Sequence, residues 1–277
     1  MQAARLAAGL TQQELCEQAS ISYSTLAKIE RGAIKSPSIF TIGQICQILG
    51  VSVEGLLSTA PQAIKTRART GVEKHERPDE PITFIYCDIN GVMVRFYQRA
   101  FAALAHSTNQ PLDLVEQVFW RYNDPICSGE MTEVELNKIL AETLEVPSVN
   151  WREYYINAVE PIVEFHTYIT QLVSRYKIGL ISNIFPGFID ALTDANKLPD
   201  IPYVSVVDSS EQHVIKPHRE IYEIAERLAG AKAGQILLID DTRANIIAAQ
   251  QLGWRCIWFD SYHPNESIQD IEKVLSF

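Results

Sequence analysis

The stretch FIYCDINGVMVRF, residues 84–96, decides the fold. FIYC is a short, continuous apolar run, the pattern of a strand with both faces buried in a parallel sheet. Asp88, Asn90 and Gly91 follow it at once: an acid, an amide and a turn-forming residue. Open α/β sheets hold their ligands at the carboxyl ends of their strands, so a polar cluster here marks a candidate site.

Working outward, similar apolar runs occur at 82–87, 176–182, 203–207, 235–240 and 254–259, and helical patterns separate most of them, notably 218–229 and 243–252. This alternation predicts a doubly wound α/β sheet. Three more polar clusters fall at strand or helix ends: Ser182-Asn183 after YKIGLI, Lys216-Pro217 opening a helix, and Asp240-Asp241 after QILLI. One carboxylate in such a set can attack phosphorus. A hydroxyl and a lysine can hold phosphoryl oxygens, and two further acids can hold a divalent cation. Asp at a strand end is more often a helix cap, so the weight lies on four clusters in this order.

Together these residues resemble the haloacid dehalogenase superfamily over residues 82 to about 260. KPHREIYEIAERLAG, 216–230, and LLIDDTRANIIAAQQLGWRCIWF, 237–259, are similar to that family's third and fourth motifs. The resemblance implies a Rossmann-like core over 82–277 with a helical cap inserted at about 97–162, closing over the pocket and selecting substrate. It implies Asp88 as the nucleophile that forms an aspartyl intermediate and touches Mg2+. Asn90 lends Mg2+ its backbone carbonyl, from the position whose side chain is normally the general acid and base. Ser182 and the Asn183 backbone bind the phosphoryl group, and Lys216 neutralises nucleophile and phosphate. Asp241 is the direct cation ligand, and Asp240 orients Lys216 or a metal-bound water. In the cap, Arg95, Tyr97, Trp120, Arg121, Tyr122 and Trp151 are candidates to face the ligand, each weighed against ordinary packing or surface duty. Arg121 is the one suited to gripping a second anionic group. His213 and His218 flank Lys216 without companion acids at ligand spacing and form no expected metal site.

Asn90 departs from the phosphatase pattern. An amide keeps the shape of a carboxylate, so the turn and the cation site survive. It cannot give a proton to a leaving alkoxide or take one from attacking water. General acid–base assistance is worth about 10²- to 10⁴-fold. Good leaving groups need little of it, and dehalogenase and phosphonatase branches also lack the second acid, though Asn90 matches neither branch's usual residue.

The front piece, residues 1–58, reads as a string of short helices. An apolar stripe at 3–8 stops at Gly9, and Thr11-Gln-Gln-Glu14 is a capping box for a helix to about 19. Ser22 caps a helix that turns Leu26 and Ile29 inward, and further helices are expected at 39–49, closed by Gly50, and at 53–57. GLTQQEL, ASISYSTLAKIERG and ILGVS resemble the lambda-repressor-like (Xre or Cro type) helix-turn-helix family. The resemblance implies a recognition helix over 22–29, with Ser22, Tyr23, Ser24 and Lys28 facing the groove of double-stranded DNA and Gln12 contacting phosphate or base. The same fold also serves as a protein-docking or dimerisation module. Residues 59–81, TAPQAIKTRARTGVEKHERPDEP, are rich in proline and basic residues and read as a linker or an exposed amphipathic excursion.

The charge split fits this layout. Residues 1–80 carry nine basic and eight acidic groups, and the remainder fifteen against twenty-six. An acidic back piece repels nucleic acid, which confines DNA contact to the front. The five cysteines form no CxxC and read as buried thiols of a reducing compartment. No run approaches eighteen apolar residues, and the start lacks a signal-peptide layout, so a cytoplasmic protein with no membrane contact is expected. The whole reads as a homodimeric DNA-binding regulator whose back piece binds Mg2+ and a small phosphorylated ligand with weak or lost turnover. The alternatives are a working phosphohydrolase acting through Asp88, whose head localises or autoregulates it, and an interaction scaffold binding neither DNA nor ligand.

Overall fold

The computed structural model describes residues 5, 8, 10, 15, 19, 26, 29, 39–49, 51 and 80–275. The chain divides into two compact units, Met1–His75 and Glu76–Phe277, and the division falls inside the expected linker. In the first unit, helix α1 spans Ile39–Leu49, where the apolar pattern places it. Leu15, Ala19, Leu26, Ile45 and Leu49 form its small core, with Leu10, Ile48 and Val51 packed against them. Leu26 and Ile29, expected to point inward, are both buried. Gln12, Ser22, Tyr23, Ser24 and Lys28 lie outside the described residues, as do Gly9, the capping box at 11–14, Gly50 and the helix expected at 53–57.

The second unit is built on five parallel strands in the order β3-β2-β1-β4-β5. They are β1 Phe84–Cys87, β2 Lys177–Ser182, β3 Tyr203–Asp208, β4 Ile236–Asp240 and β5 Arg255–Trp258. Each lies within a residue or two of the apolar run that predicts it. β1 and β4 are buried along their whole length. Their side chains alternate between two cores: Ile85, Cys87, Leu237 and Ile239 face one, and Phe84, Tyr86, Ile236 and Leu238 face the other. Burial on both faces is why these runs are continuously apolar rather than alternating. The chain builds outward from β1 through β2 to β3, then crosses to β4 and β5, so the carboxyl ends of β1, β2 and β4 flank one crevice.

Four helices come between β1 and α6 (Val163–Leu172) as the expected cap: α2 Gln98–Thr108, α3 Leu112–Cys127, α4 Glu133–Thr143 and α5 Trp151–Ala158. α4 begins with a capping box in which Thr132 and Glu135 satisfy each other's backbone. The two connections to the core are paired: Arg95 N donates to Glu160 O at 2.8 Å and Ile162 N to Met93 O at 3.0 Å. The cap therefore leaves and rejoins the core at one place. The remaining helices are α7 Phe188–Asp194, α8 Ser209–Gln212, α9 Arg219–Ala229, α10 Arg243–Gln251 and α11 Pro264–Leu275. Among the described residues, no helix is long and apolar enough to cross a membrane. Cys46, Cys87 and Cys127 are buried and Cys256 is partly so.

Gly179 in β2 has a packing reason. A Cβ there would lie 2.7 Å from the Tyr86 ring, 2.8 Å from the Phe84 ring and 2.8 Å from Ser205 O. The Tyr86 hydroxyl in turn donates to Ser205 Oγ or Ala225 O, each at 2.8 Å, so the ring has nowhere to retreat. Gly179→Ala is expected to destabilise the second unit by about 1–3 kcal/mol through overpacking, read as a lowered urea midpoint. An unchanged midpoint would show that the two rings shift freely.

Candidate active site

The crevice gathers the polar clusters of β1, β2 and β4 around one buried cation. Lys216 Nζ lies 2.6 Å from Asp240 Oδ2, 3.0 Å from Asp88 Oδ2 and 3.0 Å from the Ile181 carbonyl. Asp88, Ser182, Lys216 and Asp240 are all buried. Burial alone would push the Lys216 ammonium down, but Asp240 and Asp88 outweigh it and hold the group above its ordinary range.

Each partner is fixed in turn. Asp88 Oδ1 accepts from Ser182 Oγ at 2.6 Å and from Ile89 N at 2.7 Å. Lys216 is tied to Asn183 by a reciprocal pair, with Lys216 N donating to Asn183 Oδ1 at 2.7 Å and Asn183 Nδ2 to Lys216 O at 2.8 Å. Asp240 accepts from Thr242 N at 2.8 Å and from Asn245 Nδ2 at 3.0 and 3.1 Å. With its two oxygens on Lys216, Asn245 and the backbone, Asp240 sits as an orienter of the lysine. Asp241 Oδ1 accepts from Thr242 Oγ1 at 3.2 Å, while Trp258 Nε1 donates to the Asp241 backbone carbonyl at 2.6 Å.

Asp88, Asp240 and Asp241 each bring an oxygen to within 4.8 Å of the others. Three carboxylates face one ammonium, and burial, then Asp88 and Asp240, push the Asp241 carboxyl up to about 7. A hard divalent cation supplies the missing charge for such an all-oxygen set. Gly91 makes the approach possible. With φ of +89°, it turns the chain after β1, and a Cβ there would fall 2.0 Å from Asp241 Oδ2. The residue is glycine for both reasons.

Asn90 stands on the cap side of this cluster. Its Oδ1 accepts from the hydroxyl of Tyr155, on α5, at 2.8 Å. The space around them is lined by Asn123, Cys127, Asn183 and the rings of Tyr97, Phe119, Trp151, Tyr155, Phe185 and Phe188, and only about 10 Å3 is free. That is about the room one water needs. Burial pushes the Tyr97 and Tyr155 phenols and the Cys127 thiol up, so all three keep their protons at neutral pH.

Of the residues singled out in the sequence, the structure brings Asp88, Asn90, Ser182, Asn183, Lys216, Asp240 and Asp241 together, and it adds Tyr97 and Trp151 to the lining. It does not bring in Arg121, which is exposed with its guanidinium 5.6 Å from the Tyr122 ring centroid. Trp120 is 47% exposed and stacks on Phe96 at 6.0 Å, and Arg95 donates to the Ser261 carbonyl. His213 and His218 line a separate groove with Asp124, Glu130 and Glu220. Sequence reasoning passed over Tyr155, Asn245 and the role of Gly91. A signal for Tyr155 existed: it lies four residues after Trp151, on the same face of α5.

Two families match separate parts of the chain. Residues 82–253 match the haloacid dehalogenase-like hydrolase family and residues 1–56 a helix-turn-helix family. A haloacid dehalogenase family enzyme from Bacteroides thetaiotaomicron superposes with a TM-score of 0.57 at 17% identity, covering 66% of this chain and 95% of that one. A predicted hydrolase of this kind from Porphyromonas gingivalis gives 0.56 at 22% identity, covering 71% and 98%. The wild-type Bacteroides enzyme in complex with magnesium and inorganic phosphate gives 0.51 at 16% identity, covering 65% and 95%. No curated protein matches the chain in sequence.

Removing the central cation tests the cluster's electrostatics. Lys216→Met leaves Asp88 and Asp240 buried without their ion-pair partner, at a cost of about 3–5 kcal/mol at pH 7. The stranded acids then bind protons more tightly in the folded than in the unfolded chain, so the deficit against wild type should shrink as pH falls toward 5. Urea unfolding at both pH values measures this. A deficit independent of pH would contradict it.

Proposed function

We propose that this chain, which belongs to the haloacid dehalogenase-like hydrolases, is a DNA-binding transcriptional regulator whose second unit senses a small phosphorylated ligand in the presence of Mg2+ and turns it over weakly or not at all. One observation carries this reading. Asp88, Ser182, Lys216 and the acidic cluster are brought together in one crevice, yet the group beside them at 90 is an amide held by Tyr155.

The donor set fits Mg2+. Asp88 and Asp241, with the Asn90 backbone carbonyl, would hold the ion, while Asp240 stays on Lys216. The Bacteroides enzyme's complex with magnesium and inorganic phosphate supports the same ligand class here. When bound, the ion offsets charge on the phosphoryl oxygens. The chain's own residues do the rest: Asp88 faces phosphorus, Ser182 Oγ and the Asn183 backbone bind its oxygens, and Lys216 neutralises both. Asn90 cannot move a proton, which removes assistance from both forming and hydrolysing an aspartyl phosphate. Arg121 keeps its proposed part in gripping a second anion only if the cap rearranges on binding. The helix-turn-helix match over residues 1–56 supports DNA binding; on this reading Gln12, Ser22, Tyr23, Ser24 and Lys28 make the contacts, and two copies serve a two-fold operator.

A second reading, a working phosphohydrolase, is favoured by the intact Asp88–Ser182–Lys216 geometry. A phosphatase screen separates the two. On phosphomonoesters with Mg2+, wild type is expected near background, Asn90→Asp to gain about 10²-fold or more, and Asp88→Ala to stay inactive. Ordinary turnover by wild type with little gain from Asn90→Asp would establish the enzyme instead.

The regulator half has its own test. Mobility shifts with the gene's upstream DNA should show binding that weakens steeply with salt, falls in Lys28→Ala, and changes when inorganic phosphate and Mg2+ are added. Binding to no fragment would leave the front unit a protein-docking module.

A further inference from the structure

We infer that Asp88 is a stable phosphorylation site, charged by small acyl phosphates, so that the signal this protein reads is a covalent aspartyl phosphate rather than an occupied pocket. The inference rests on the phosphoryl-site reading above and names its substrate class.

Asn90 does not weaken every donor equally. Attack by Asp88 on a phosphate ester expels an alkoxide, which needs a proton as it leaves. Attack on an acyl phosphate expels a carboxylate, which does not. In that step the bond between an Asp88 carboxylate oxygen and phosphorus forms as the bond between phosphorus and the acyl oxygen breaks. The electron pair leaves with the carboxylate, and no proton moves. The side chains this step uses are in place: Ser182 Oγ and Ile89 N hold one Asp88 oxygen and Lys216 Nζ stands 3.0 Å from the other.

The second step is different. Water must attack phosphorus and give up a proton while the Asp88–phosphorus bond breaks. The side chains that line the space over the site are amides (Asn90, Asn123, Asn183), two phenols, one thiol and apolar rings. No carboxylate or imidazole is among them, and Asp241, with an oxygen within 4.8 Å of one on Asp88, is a ligand of the cation on the reading above. The Tyr155 phenol already spends its proton on Asn90. Asp240 is occupied by Lys216 and Asn245. Formation is therefore spared and hydrolysis is not, and the phosphorylated state accumulates. Six aromatic rings wall the space, so a short acyl group enters it with the least cap movement.

The experiment incubates the full chain with acetyl phosphate and Mg2+ and follows its intact mass, which separates phosphoryl from acetyl addition. Wild type should gain one phosphoryl group that is cleaved by hydroxylamine, as an acyl phosphate is, while Asp88→Asn and Asp88→Ala should gain none. Glycerol phosphate, with its alkoxide leaving group, should leave wild type unlabelled. After removal of the donor, the label on Asn90→Asp should decay about 10²- to 10⁴-fold faster than on wild type. A label that persists in the Asp88 variants, or that decays equally fast from wild type and Asn90→Asp, overturns the inference. Calorimetry with inorganic phosphate and Mg2+ isolates the underlying reading. Phosphate binding without labelling overturns the covalent step alone, and neither binding nor labelling overturns both.

Discussion

The second unit depends on one buried ammonium. Lys216 touches Asp88 from β1, Asp240 from β4 and the last turn of β2 through the Ile181 carbonyl, and its own backbone is clasped by Asn183. Three strands thus meet at one charge. Two carboxylates could not be packed side by side in this crevice without it, because each would carry an unshared desolvation cost. The same arrangement fixes the chemistry. It presents Asp88 paired with the lysine and aimed by Ser182, in a cluster of three carboxylates against one ammonium.

Around that fixed centre the cap supplies the variable part. Tyr155 reaches down from α5 to Asn90, packs against Tyr97 and Phe188 at ring distances of 5.1 and 5.0 Å, and so ties the cap's aromatic core to the position where proton transfer would occur. A carboxylate there would need to stay available to solvent and ligand. An amide can instead serve as a neutral acceptor for the phenol without adding a fourth charge to the acids below. On the proposed reading, the amide that removes proton transfer also suits a cap closed on a nearly filled pocket.

Much of this was legible in the sequence, for physical reasons. Strands buried on both faces leave continuous apolar runs, as β1 and β4 do, and the apolar runs of β2, β3 and β5 mark those strands to within two residues although Val204, Val206 and Trp258 are exposed; a doubly wound sheet forces the residues after those runs to one edge. That is why Asp88, Ser182 and Asp240-Asp241 could be named together before any contact was known. Lys216 is less directly encoded, since it opens a helix rather than ending a strand. The cap was legible as helices but not as faces. Arg121 was chosen for its charge, yet the phase of α3 leaves it exposed over Tyr122, while Tyr155, chemically unremarkable in the sequence, reaches the site. Gly91 read only as a turn; its close approach to Asp241 depends on a residue 150 positions away, which no local pattern encodes.

The central claim is that the site retains its nucleophile and phosphoryl grip but has no proton-transfer group. The dependence of kcat/KM on leaving-group pKa, across a series of aryl phosphates with Mg2+, measures that absence directly, because a general acid flattens the dependence by protonating the leaving oxygen. The account predicts a steep decline with rising leaving-group pKa for wild type and a much shallower one for Asn90→Asp. A shallow wild-type dependence would mean that another group donates the proton, and would contradict it.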